Sequence, residues 1–100
     1  MSSYAARQAA FRRLHLLQLL AESPSYEATQ YLLYQALPDR ALAASLDQVA
    51  GDLAWLEEQG LVEVRAIDTA RLARLTQRGA DVAAGRATVP GVDRPPPGSP

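Results

Sequence analysis

Few groups in this chain can make or break bonds. Its 100 residues include no cysteine and a single histidine, His15. Thiol nucleophiles, thiolate metal sites and imidazole pairs are therefore excluded. No glycine-rich phosphate loop, nucleophile–base set or carboxylate cluster occurs, so the chain is not expected to be an enzyme or to need a cofactor or metal. Glu57 and Glu58 read as a solvated helix end, not as an acid pair. What remains is recognition chemistry. Ten basic residues, every one an arginine, supply planar, permanently charged forks suited to phosphate or carboxylate. Gln48 carries an amide able to pair with adenine. Trp55 is the residue type most enriched in protein-interaction hot spots.

Net charge is −1, a balance that predicts neither a polyanion-coating protein nor a halophilic one. The distribution is uneven. No basic residue lies between Ala41 and Val64, whereas Asp47, Asp52, Glu57, Glu58 and Glu63 all do. The arginines gather towards the ends, at Arg7, Arg12 and Arg13 and again at Arg65, Arg71, Arg74, Arg78 and Arg86. An apolar share of 48% suits a soluble globule with one small core. The densest apolar run, Leu14 to Leu20, is far shorter than the roughly 20 residues of a membrane span. No secretion signal is recognisable at the start, so a cytoplasmic location is expected.

The elements that must position these groups follow from periodicity. Ser3 to Glu22 reads as a long helix, with Phe11, Leu14, Leu17 and Ala21 on one stripe and Leu16, Leu19 and Leu20 on a second. A helix apolar on two stripes must be covered twice, either as the central helix of the fold or by a second subunit. After Ser23-Pro24, Ser25 is read as the cap of a second helix reaching Leu37, broken by Pro38-Asp39-Arg40. Ser45-Leu46-Asp47-Gln48 is a capping box, and the third helix it opens carries Leu46, Val49, Ala50, Leu53 and Leu56 before stopping at Gly60.

Beyond Gly60 the period becomes alternating. Leu61 to Ala66 and Arg71 to Leu75 read as two strands joined at Asp68-Thr69, a register that opposes Val62 to Leu75, Glu63 to Arg74 and Val64 to Ala73. Thr76 caps a short last helix closed by Gly85. From Arg86 on, five prolines and two glycines predict a flexible tail, giving a domain of residues 1–85 and a tail of 86–100.

The order helix, helix, helix, strand, strand, helix, mostly α with a β-hairpin, is that of a winged helix-turn-helix. The residues also resemble that family. Val49 to Val62, with Leu53, Leu56 and the Gly60-Leu61-Val62 step, is similar to the third helix and first wing strand of ArsR, MarR and PadR-type regulators. Leu75-Thr76-Gln77-Arg78-Gly79 resembles their exit from the wing, and the stretch 19–24 the end of their first helix. The resemblance covers roughly residues 10 to 85. Size, Ala/Arg-rich style and the Val89-Pro90-Gly91-Val92 tail resemble the small winged-helix proteins of Mu-like phages. The resemblance implies a regulator that binds double-stranded DNA, and the over-apolar first helix, with help from the last one, is expected to make it a homodimer. It does not carry arsenic or zinc sensing, because the cysteine ligands are absent.

On that frame the third helix enters the major groove and the wing holds backbone. The expected DNA contacts are Arg40, Ser45, Gln48, Asp52, Arg65, Arg71 and Arg74. Each has a plainer reading. Gln48 can belong to a solvated face, Ser45 to its cap, and Arg74 to Glu63. Asp47 and Asp52 face phosphate repulsion. Trp55 is either covered by the first helix or the tail, or it joins Phe11, Leu16 and Leu20 as a protein-interaction surface. The alternative function is therefore a winged-helix adaptor or phage accessory protein that does not bind DNA.

Overall fold

The computed structural model describes residues 3–97. Helix α1 spans Tyr4–Glu22 and is opened by the Ser3 hydroxyl, which accepts from the Ala6 N–H at 3.1 Å. It stops where the Ser23 hydroxyl bonds back to the Leu19 carbonyl at 2.7 Å and Pro24 removes the next donor. The middle of both apolar stripes of α1 is covered by the chain itself, while Phe11 and Ala21 at the ends of the first stripe stay exposed. Leu14, Leu16, Leu17 and Leu20 are buried against α2 (Gln30–Ala36), α3 (Leu46–Glu58), β3 (Ala70–Leu75) and α4 (Gln77–Ala83). Of the two explanations for the double stripe, the central helix is correct. Leu16 and Leu20, expected as partner contacts, are enclosed at 0% exposure. Each such leucine removed from water is worth about 1.5–3 kcal/mol.

The second helix begins later than its sequence suggests. Ser25 does not cap it: Ser25 and Tyr26 take left-handed backbone, at φ 57° and 58°, and the chain then runs extended as β1 (Glu27–Thr29). The reason lies across the gap. The outer edge of β3 has unpaired backbone groups, and β1 satisfies them in the register Glu27–Arg74, Ala28–Ala73 and Thr29–Leu72. Thr29 becomes the cap of α2, its hydroxyl accepting from the Leu32 N–H at 3.2 Å. A 3-10 turn at Leu37–Arg40 and a left-handed Ala41 (φ 59°) lead to α3.

The capping box on α3 forms as expected, with the Gln48 N–H on the Ser45 hydroxyl at 3.0 Å and the Ser45 N–H on the Gln48 side-chain oxygen at 2.9 Å. The hairpin of β2 (Val62–Ile67) and β3 keeps the expected register throughout, with Asp68-Thr69 as its loop. The sheet order is β1-β3-β2, all antiparallel. On the far side of β2 the Glu57 carboxylate accepts the Val64 N–H at 2.9 Å.

One node fixes the ribbon to α3. Thr76 donates its backbone N–H to the Leu61 carbonyl at 3.1 Å and its hydroxyl to the Gly60 carbonyl at 2.7 Å, while the same hydroxyl accepts from Gly79 at 3.0 Å. Arg78 Nε adds a bond to the Gln59 carbonyl at 3.2 Å. The carbonyls of the turn that follows α3 thus find partners at the start of α4, while those left over in its last turn are taken by the N–H groups of Gln59, Gly60 and Leu61. Gly79 is required because a Cβ there would lie inside the Leu61 carbonyl oxygen.

Residues 86–97, expected to be a flexible tail, instead form a strap. Val89 and Val92 are buried at the two ends of a turn closed by the Val92 N–H on the Val89 carbonyl at 3.1 Å. Pro90 and Gly91 (φ 96°) occupy the positions a type II turn reserves for proline and glycine. The Asp93 N–H then bonds to the Ala10 carbonyl on α1 at 3.1 Å. Among the described residues no helix is long and apolar enough to cross a membrane.

Candidate nucleic-acid interface

Helix α3 presents Leu46, Asp47, Gln48, Gly51, Ala54, Glu57 and Glu58 to solvent. The Gln48 amide oxygen is occupied by the capping box and its NH2 group points from an exposed residue, so it can still donate. Ser45 is committed to the cap.

Asp52 is not on this surface. It is 3% exposed, held by Arg12 Nε and by Arg13 Nε at 3.2 Å, with Arg12 Nη2 at 3.3 Å. Its expected DNA contact is therefore withdrawn. Position 52 falls on the inward row with Val49, Leu53 and Leu56, and a carboxylate on that row needs cations to remain charged. The adjacent pair Arg12-Arg13, next to the apolar run of α1, was the missed signal.

Trp55 is half-buried. The Arg13 guanidinium stacks 4.1 Å from its ring centre and donates to the Gly91 carbonyl at 3.1 Å. A Cβ on Gly91 would come within 2.7 Å of the ring. The strap thus covers the ring, and Trp55 is not an open protein contact. Phe11 remains 41% exposed, edge-on to His15 at 4.5 Å.

Arg40 turns away from α3. It bonds Gln18 at 2.9 Å, His15 Nδ1 at 3.1 Å and Glu22, all on α1. An arginine only donates, so Nδ1 of His15 is an acceptor and the ring is neutral. Burial first, and Arg40 second, push the His15 pKa below its ordinary value, with Asp93 opposing.

The ribbon arginines divide between two faces. Arg74 stands in register between Glu27 and Glu63, and Arg65, on the same face, lies 3.8 Å from Glu27 while staying 70% exposed. Arg71, opposite Ala66, is on the other face; it is exposed, and among the described residues it has no ion-pair partner. Among those residues no group of three or more His, Cys, Asp or Glu could hold a metal ion.

No family model matches the sequence. The chain is 42% identical over 86 residues to gp26, an uncharacterized protein of Escherichia phage Mu, covering 86% of this chain and 88% of that protein. The chain belongs to the gp26 family. Solved structures give this gp26 relative its fold. It superposes on Sco5413, a MarR family transcriptional regulator from Streptomyces coelicolor, with a TM-score of 0.62 and 27% identity over 71% of this chain. It also matches Mb0332 from Mycobacterium bovis, described as a homodimeric winged helix-turn-helix DNA-binding domain of a possible ArsR-family regulator, at TM-score 0.54 and 28% identity over 69% of this chain. A transcriptional regulator from Clostridium thermocellum matches in fold at TM-score 0.62 and 20% identity. The chain spans 46% of the first of these and 56% of the second. The gp26 relative is a winged helix with one strand more than its sequence suggested.

Proposed function

We propose that this protein is a DNA-binding transcriptional regulator. The observation that carries the reading is a capped α3 locked at fixed geometry beside a two-stranded ribbon bearing Arg65, Arg71 and Arg74, in a fold that superposes on a MarR family regulator and on the DNA-binding domain of a possible ArsR-family regulator. Gln48 is the side chain on α3 able to reach a base edge. Ser45 acts through the cap that orients it, and Arg40 by tying the α2–α3 turn to α1. The functional unit is a homodimer in this reading, with Tyr4 (76% exposed) and Phe11 on α1 as the apolar residues left for a second copy.

Fluorescence anisotropy with the protein's own upstream region across a salt series tests the reading. Affinity should fall steeply with salt, by about 0.9 log units per phosphate contact for each log unit of salt. The slope should flatten in Arg65→Ala and Arg71→Ala. Unmeasurable affinity at low salt overturns the proposal, and sedimentation showing only monomers at tens of micromolar overturns the dimer. A second reading, a winged-helix adaptor for a protein partner, is favoured by one observation: the exposed face of α3 carries Asp47, Glu57 and Glu58 and no cation.

A further inference from the structure

We propose that the cleft between the first half of α1 and the start of α3 binds a free ribonucleotide, which takes Gln48 out of reach of DNA. The effect on DNA rests on the reading above, but the binding site itself does not.

The cleft measures about 600 Å³, within the size range of small-molecule sites. Tyr4, Arg7, Gln8 and Phe11 form one wall, because positions three or four apart share one face of a helix. The turn 41–43, Gln48 of α3 and Asp93 of the strap complete it. Leu42 stands in that turn between two alanines, whose short side chains leave the space open.

The cations of the cleft select an anion. Arg7 is exposed and, among the described residues, has no ion-pair partner. Arg12, its side chain 12% exposed, also lines the cleft. It shares the one carboxylate of Asp52 with Arg13, so that cluster keeps a positive charge in excess. Its Nε and Nη2 are spent on Asp52, while Nη1 has no hydrogen-bond partner among the described residues. A phosphate accepts strongly from guanidinium groups.

The other groups select what the phosphate is attached to. Phe11 and Tyr4 are 41% and 76% exposed, and aromatic rings so displayed are platforms on which a base stacks. The Gln48 NH2 group is free to donate, and the Gln8 amide can donate and accept. The ionised carboxylate of Asp93 only accepts. A duplex backbone offers it no donor and brings negative charge against it, whereas ribose hydroxyls and base amines can donate. A free nucleotide therefore suits the cleft better than a strand of DNA. Seated there, it would cover Gln48, the proposed base reader, together with Tyr4 and Phe11, the residues left for a second copy. Duplex and dimer should loosen together.

Equilibrium dialysis of the full chain against the four ribonucleoside 5′-monophosphates, with the nucleosides and inorganic phosphate alongside, tests the site without DNA. At least one monophosphate should bind saturably, and its nucleoside should bind about tenfold more weakly or worse. Arg7→Ala should weaken the nucleotide by about 10–100-fold and Phe11→Ala by about fivefold or more. Arg86→Ala, which removes an exposed arginine paired elsewhere, should leave it unchanged. Unchanged circular dichroism would confirm that the variants fold. In the anisotropy assay the same nucleotide should weaken duplex binding several-fold. No saturable binding at millimolar concentration overturns the proposal, as does inorganic phosphate binding as tightly as the nucleotides. If no nucleotide binds while Arg7→Ala weakens the duplex, Arg7 serves the DNA backbone and the site falls. If a nucleotide binds but duplex affinity holds, the claim on Gln48 is overturned. If the upstream region does not bind even at low salt, the DNA reading falls and the dialysis result is untouched.

Discussion

Two glycine-to-alanine substitutions, identical in chemistry, should move stability in opposite directions. At Gly79 an added Cβ falls well inside the Leu61 carbonyl oxygen and 2.7 Å from Leu75 Cδ1. The first neighbour is backbone, and it also accepts the Thr76 N–H at 3.1 Å, so relief requires α4 to withdraw from the start of β2. Alanine returns about 1 kcal/mol of helix propensity. Against that stand overpacking of about 1–3 kcal/mol and loss of two hydrogen bonds of the Thr76 node, each worth about 0.5–1.5 kcal/mol. The balance is a loss of about 1–5 kcal/mol, and its midpoint of about 3 kcal/mol lowers Tm by about 12–24 °C for a domain of this size. At Gly51, also helical, nothing lies within 4 Å of the new Cβ, and the propensity gain of about 0.5–1 kcal/mol stands alone. Thermal unfolding of the pair checks both. Equal effects of either sign, or a Gly79→Ala protein as stable as its parent, would refute the idea that a close backbone approach sets the angle between ribbon and helix.

Other consequences are as direct. Asp52→Ala strands two mostly buried guanidiniums and should cost about 2–4 kcal/mol in urea unfolding; a loss below about 0.5 kcal/mol would mean that water already screens the cluster as on a surface. Gly91→Ala combines a left-handed φ of 96° with a clash on the Trp55 ring, so tryptophan emission should shift red and become easier to quench while helical circular dichroism holds. Unchanged emission would show that the strap does not cover the ring. His15 binds a proton less readily in the fold than in the unfolded chain, whose value is near 6.5. Its contribution is therefore present above that pH and lost as pH falls through the window below it. His15→Gln should flatten this part of the stability profile, and an unaltered profile would count against the neutral ring.

What could be read from the sequence was what local chemistry alone determines. The capping box and Gly60 bounded α3, and alternation on either side of a two-residue loop fixed the register of the hairpin, with strand ends within one residue. The rest depended on partners distant in sequence. β1 is three residues long, too short for a period, and exists because β3 has an edge to fill. Asp52 looked like surface by residue type, although its spacing from Val49 and Leu56 placed it inward. The strap looked disordered by composition, although Val89-Pro90-Gly91-Val92 spells a turn with an apolar anchor at each end. In the site, the arginines were recognised as a set, but which of them face solvent depended on carboxylates and amides elsewhere: Glu22 and Gln18 hold Arg40 on α1, whereas Arg65, Arg71 and Arg74 stay exposed on the ribbon.

The bond from Glu57 to the Val64 N–H bears on how the molecule behaves in a crowd. An uncovered strand margin is a template onto which foreign chains can zip, the first step towards fibrous or amorphous deposits. Here one outward donor of β2 is already answered from within, so an incoming strand finds that position of the ladder occupied. Removing that carboxylate should leave an intact fold that precipitates sooner when concentrated or warmed.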